Sequence, residues 1–257
     1  MSVIHAIDTH WRYLTMYMRH WLQSPSSLTH GNIIKREIFS KRNGDTPDKE
    51  GAILNYVDSF SRCYLESRIA SVPTALEDRQ LIFYVVDGTG TFEAGNLKQP
   101  VSEGDAILVP PGLIHVLNNP ENVPLEFLML EEVVPEGVEA PLKDALIRNY
   151  RERPLGQGHW THLVHPIFGQ DDGLVVLHSV LVVRIEAMQT PDTHGHGPNM
   201  DEVWYMLEGN GIHVVSRNVY RQMPGDAVSV APSNPGHTLI NDTNEPLKTF
   251  YFARYDR

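Results

Sequence analysis

Two stretches of this chain carry the same pattern, and that duplication limits its possible folds more than any other feature. Val85-Val86-Asp87-Gly88-Thr89-Gly90 and Met206-Leu207-Glu208-Gly209-Asn210-Gly211 each run from apolar residues into an acidic residue and a Gly-x-Gly break. Gly88 and Gly209 stand 121 residues apart, and Gly104-Asp105-Ala106 and Gly225-Asp226-Ala227 keep the same offset. Asn118-Asn119-Pro120-Glu121 through Leu125 is echoed by Asn241-Asp242-Thr243-Asn244 through Leu247. A repeat at fixed spacing means one structural unit used twice. The segments Cys63 to Ala70, Leu81 to Val86, Gly90 to Ala94, Ala106 to Val109 and Leu125 to Glu131 are short and apolar, and turn residues separate them. This texture returns from Leu174 to Glu186 and onward. Short strands at such spacing predict an all-β chain of two tandem antiparallel barrels.

Flanking segments have a different character. Ile7, Trp11, Leu14, Met18, Trp21 and Leu22 approach a helical rhythm, so a helix is expected over residues 7 to 22, ended by Ser24-Pro25. It would pack on the body of the protein or across a dimer interface. Residues 24 to 52 are polar, with one strand expected near Ile33 to Phe39. Residues 132 to 158 are rich in Pro and Gly around one helical piece, Leu142 to Tyr150. The expected division is an N-terminal helix and extension (1–51), a first barrel (52–131), a connection (132–173) and a second barrel (174–257).

The chemistry concentrates in the second copy. His194-Gly195-His196 places two imidazoles on one face of an extended segment, since residues two apart point the same way. Glu202 opens the apolar run Val203-Trp204-Tyr205-Met206-Leu207, and Gly225 to Pro232 forms a further strand that delivers Pro235-Gly236-His237. Three imidazoles and one carboxylate suit a borderline divalent metal such as Fe, Mn, Ni, Cu or Zn.

His-x-His, a following Glu, a Gly seven residues later, then Gly-Asp, Pro, Gly, His and Asn together resemble the two motifs of the cupin superfamily. The resemblance implies that His194, His196, Glu202 and His237 are ligands of one divalent transition metal per chain. It implies structural roles for Gly209, Gly225, Pro232 and Asn241. Five residues separate His196 from Glu202, where the family more often has three or four. With two copies, over about 60 to 131 and 174 to 254, the chain resembles a bicupin of double-stranded β-helix (jelly-roll) barrels.

The first copy keeps the second motif, Gly104 to Gly112 followed by His115 and Asn119, but lacks the first. Leu81 stands where Glu202 would, and the histidine positions fall near Pro73 and Ala75. One imidazole does not make a metal site, so His115 is expected to be metal-free in a degenerate N-terminal site. His159, His162 and His165 form another cluster; with no carboxylate beside them in sequence, they are expected at a surface or interface.

Alternation sketches a substrate pocket. Trp204 and Met206 share a face with Glu202, and Leu239 and Asn241 share one with His237. Arg184 and Tyr251 could orient a carboxylate or hydroxyl of a small-molecule substrate. No dedicated general base stands out, since Glu208 and Asp226 sit at turns; His213 would serve if its strand turns it inward. That favours a dioxygenase-type oxidoreductase over an isomerase, lyase or decarboxylase of a hydroxy-carbonyl compound, with a non-enzymatic binder as the third reading. The net charge of −11 argues against nucleic acid. No apolar run is long enough to span a bilayer, Cys63 is the single cysteine, and no export signal is evident, so a cytoplasmic protein, plausibly a homodimer, is expected.

Overall fold

The computed structural model describes residues 17–44, 49–233 and 236–255, and among these there is no α-helix. A large sheet runs Leu146–Asn149, Asp105–Val109, Arg79–Asp87, Leu125–Val133, Ser59–Leu65, Ile33–Lys41, Ser26–Thr29, with Ala52–Leu54 alongside Ile33–Lys41. It faces a small sheet of Ile69–Ala70, His115–Asn119, Thr89–Ala94 and Leu97–Ser102. The second half repeats this arrangement. Its large sheet runs Tyr17–His20, Asp226–Ser229, Met200–Glu208, Leu247–Tyr255, Ser179–Ile185, His162–Gly169, Gly156–Gly158, and its small sheet runs Asn218–Gln222, Gly211–Val215, His237–Ile240. This is a cupin-like jelly-roll fold, built from antiparallel pairs.

Each half has its own apolar filling. Phe83, Phe92, Phe127 and Leu117 fill the first, and Met206, Val228, Leu239 and Tyr251 fill the second. A third cluster joins the two large sheets back to back, with Phe60 packed edge-on against Phe252 at 5.1 Å and Tyr84 against Phe250 at 4.9 Å. The central strands are therefore buried on both faces, as Met200–Glu208 shows by burying all but its last two residues.

Matching turns close both halves. Asn119 donates through Nδ2 to the carbonyls of Leu65, Glu66 and Val123, and Asn241 does the same to Ile185, Glu186 and Glu245, all at 2.8–3.0 Å. Gly88 and Gly209 sit at φ +84° and +72°, where an added Cβ would meet the carbonyl oxygens of Pro124 and Pro246 at 2.6 and 2.8 Å. Only glycine fits there.

Two helical expectations fail. Of the helix expected over residues 7 to 22, residues 7–16 lie outside the described set; the rest is the strand Tyr17–His20 and a 3-10 turn, Trp21–Gln23. Pairing wins because Tyr17–His20 docks antiparallel on Asp226–Ser229. Arg19, 5 % exposed, donates to the carbonyls of Ile38, Glu50 and Gln23, which fastens the strand to the segments beside it. The helical piece Leu142 to Tyr150 is likewise replaced by Leu146–Asn149, which pairs with Asp105–Val109 and runs into a 3-10 turn. In both segments a free sheet edge outweighs local propensity.

Candidate metal centre

Four side chains from three segments meet at the mouth of the second half. His194 and His237 are tied through their backbones, each donating its N–H to the other's carbonyl, at 3.3 and 2.8 Å. This bridge brings the extended segment of His194 and His196 against the strand His237–Ile240. Glu202 comes from the neighbouring strand Met200–Glu208 and is 1 % exposed. His196 Nε2 lies 3.1 Å from His237 Nε2 and 2.9 Å from Glu202 Oε2, and His237 Nε2 lies 3.3 Å from Glu202 Oε1. The ring nitrogens of His194, His196 and His237 that face one another all lie within 4.8 Å.

These separations fit a metal. Ligands at right angles about an ion roughly 2.1 Å away stand about 3 Å apart. The Nδ1 atoms of His194 and His237 are buried with no hydrogen-bond partner, so nothing on that side fixes the ring tautomer, and Nε2 of His237 can present its lone pair to the shared point. Burial pushes His237 down to about 3 and lowers His194, so both stay neutral. Burial alone would raise Glu202, but the hydrogen bonds from His196 and Tyr255 favour the ionised form, and the carboxyl is lowered to about 2. Neutral His194 and His237 beside an ionised Glu202 are protonation states that suit a divalent metal.

Aromatic groups hold Glu202 in place. Trp204 Nε1 donates to Oε1 at 2.6 Å, and the Tyr255 hydroxyl donates to Oε2 at 2.5 Å while sharing a 2.5 Å bond with Tyr251. The Tyr255 ring also lies 4.7 Å from that of His196, nearly parallel. On the far face of the same strand, Asp201 accepts from the backbone N–H groups of Asn55, Tyr56 and Val57 at 2.7–3.0 Å. Glu202 is thus anchored by its own half on one side of the strand, and its neighbour by the other half.

The pocket expectations divide. Trp204 and Tyr251 stand beside the ligands, with rings 4.7 Å apart. Met206 and Leu239 lie in the apolar filling. Arg184 does not reach the site: it is part-exposed and pairs with Glu186 at 2.6 Å. Asn241 spends its amide on the turn clamp and presents nothing to a substrate.

Of the expected surface histidines, His159 is exposed as expected, and His162, which is buried, is a correction. The hairpin joining Gly156–Gly158 to His162–Gly169 carries His159 and His162 onto the site. The His159 ring lies on His194 at 3.8 Å with planes 5° apart, its Nδ1 3.4 Å from Asp192. His162, 3 % exposed, packs 5.5 Å from Trp204, and burial together with His159 and His194 lowers it to about 4. His165 instead meets Tyr150 edge-on. His159, Asp192 and His194 also cluster within 4.8 Å. Lone pairs lie in the ring planes, and parallel planes do not meet, so His159 and His194 do not chelate one ion. Their positions in sequence, 35 residues apart across a Pro- and Gly-containing connection, gave no sign of this contact.

His213 turns inward. It is fully buried, with its ring 6.0 Å from Trp204 and 6.3 Å from His237.

The first half keeps the frame and loses the ligands. Thr74 forms the backbone bridge to His115 that His194 forms to His237, one residue off the Pro73 and Ala75 positions counted from sequence. Leu81 fills the seat of Glu202. His115 Nε2 lies 3.1 Å from Nε2 of His30, a residue that sequence reasoning missed because it comes from a turn 85 residues away. A cavity of about 450 Å³ in this half, lined by Glu77, Gly112, Leu113, Val138 and Lys143 among others, includes none of the second half's histidines.

Comparison with known proteins agrees with this fold. Residues 70–131 match the family model described as "Cupin domain". No curated protein sequence matches the chain. Among solved structures, a mutant of Bacillus subtilis oxalate decarboxylase aligns with a TM-score of 0.71 and 15% identity, covering 93% of this chain and 77% of that one. The same organism's enzyme at pH 4.6 aligns with a TM-score of 0.69 and 15% identity over 93% and 76%. At that identity the likeness is one of fold.

Proposed function

We propose that this chain is a metal-dependent enzyme that acts on a small organic acid or hydroxy-carbonyl compound. One divalent transition metal would be held by His194, His196, Glu202 and His237. The observation that carries this is the convergence of the His196, His237 and Glu202 ligand atoms at 2.9–3.3 Å. Four protein ligands leave open positions on a six-coordinate ion, and the metal would supply Lewis-acid polarisation of a bound oxygen. Oxalate decarboxylase, among the structural matches, supports a small carboxylic acid as the substrate class.

The chain's own residues supply the rest. Trp204 and Tyr255 fix both oxygens of Glu202, so the carboxylate keeps its orientation when substrate arrives. His159 with Asp192, and His162, put hydrogen-bonding groups at the mouth. Trp204 and Tyr251 wall it with apolar surface that limits water at the reacting atoms.

These histidines bear on the choice between reaction classes. The dioxygenase reading drew its preference from the lack of proton-handling groups, and the hairpin histidines remove that reason. Non-oxidative chemistry, decarboxylation or isomerisation, is the better-supported reading; dioxygenation is second, favoured by the apolar wall alone. The test is turnover of a panel of small hydroxy- and keto-acids by metal-loaded protein, under argon and in air. Equal rates without oxygen uptake are expected. Turnover only in air, with stoichiometric oxygen consumption, would establish the dioxygenase instead.

A further inference from the structure

His213 poses a question that the ligand set does not answer. Its Nδ1 lies 3.0 Å from Gln222 Oε1, and the Gln222 amide cannot be turned round, because its Nε2 donates to the carbonyls of Trp204 and Asp226 at 2.8 and 3.1 Å. The partner of Nδ1 is therefore an acceptor, and Nδ1 carries the ring proton. Burial lowers the ring to about 4, so the imidazole is neutral, and Nε2 holds a bare lone pair. That atom is buried and has no partner. A buried acceptor left unpaired is destabilising.

The duplicated frame shows that the seat does not require histidine. By the offset between the copies, Phe92 stands in the place of His213 and Val101 in the place of Gln222. The strand registers agree, since Gly90 pairs with Val101 as Gly211 pairs with Gln222. Phe92 lies against His115 at 6.0 Å and 21°, as His213 lies against His237 at 6.3 Å and 23°. An apolar pair fills this position in the half without ligands. A polar pair with one open lone pair fills it in the half that has them.

We infer that His213 is a substrate-recognition residue whose Nε2 accepts a hydrogen bond from a hydroxyl or N–H of the substrate, and that Gln222 is the positioning residue that fixes its tautomer. The substrate is then a small acid or carbonyl compound that carries a donor group beside the atom bound to the metal, a 2-hydroxy acid rather than its deoxy counterpart. This rests on the metal-dependent reading above.

The test uses cobalt(II)-loaded full-length protein titrated with lactate and with propionate, read from the visible spectrum of the metal. Chelation alone favours lactate, so the quantity read is the lactate-to-propionate preference of the wild type relative to variants. His213→Phe and the double variant His213→Phe/Gln222→Val install the pair that the first half already accommodates. Both are expected to keep cobalt and to lose about tenfold of the preference. Gln222→Leu, which frees the tautomer and leaves the imidazole, should lose part of it. An unchanged preference, including no spectral response from either protein, overturns the assignment. So does loss of cobalt from a folded His213→Phe, which would make His213 a ligand. Wild type that takes up no cobalt overturns the metal-dependent reading itself, and this inference with it.

Discussion

At the mouth of the first half, His115 donates from Nδ1 to the Leu113 carbonyl at 3.0 Å, accepts at Nε2 from His30, and His30 in turn accepts at Nδ1 from the Thr29 hydroxyl at 2.9 Å. Every ring nitrogen in that chain is used. At the mouth of the second half, Nδ1 of His194, Nδ1 of His237 and Nε2 of His213 have no partner, and three ligand atoms crowd to about hydrogen-bond distance around a shared point. The two mouths share turns, bridges and strand registers, so the frame does not explain the difference. The contrast teaches that a buried histidine needs a partner: a second histidine satisfies one mouth, and in the other Nε2 of His213 stays open beside the converging ligand atoms.

Exchanging residues between the mouths should produce the largest effect. Glu202→Leu places the first half's residue in the second; the protein should fold and lose stoichiometric metal, measured by elemental analysis after gel filtration. Retention of a full equivalent would show that the three histidines suffice. Tyr255→Phe keeps the ring over His196 and removes the hydroxyl from Glu202. It should weaken metal binding by about 10–100-fold in competition with a chromophoric chelator. An unchanged affinity would show that Trp204 alone holds the carboxylate.

The clamps should behave alike where the mouths differ. Asn119→Ala and Asn241→Ala each strand three carbonyls and should cost about 2–3 kcal/mol in urea unfolding, with full metal content in Asn119→Ala. A much smaller loss at either site would mean that its turn is held by glycine and proline geometry.

The smallest effect is one of pH. Burial, with His115 and Lys35 nearby, lowers His30 from 6.5 to about 4. Between these values the unfolded chain binds a proton that the folded pair refuses, so stability is full above pH 6.5 and is lost as pH falls toward 4. The His30 contribution is on the order of 2 kcal/mol between pH 7 and 5. His30→Leu/His115→Leu should flatten that part of the acid limb in urea titrations; an unchanged slope would place the acid sensitivity elsewhere.

What was legible in the sequence follows from how far apart the interacting residues lie. His194 and His196 share a face because a strand alternates, and the glycines at positions 88 and 209 mark turns because their backbone conformation excludes other residues. Both are local rules. His159, His162 and His30 reach their places through a connection hairpin and an N-terminal turn that pack on distant strands, and no spacing rule reports such contacts. The strand Tyr17–His20 was misread for a related reason: its pairing partner lies some two hundred residues away in Asp226–Ser229, and the edge it fills is invisible in its own composition. Arg184 failed more simply, since Glu186, on the same face of an extended segment, was the nearer partner.

The most direct test of the central claim is the metal content of protein expressed without supplement and purified without chelator, set beside that of His196→Ala. The account predicts about one transition-metal equivalent per chain in the wild type and none in the folded variant. A wild type that holds no metal and takes none up on reconstitution, or a variant that keeps a full equivalent, would contradict it.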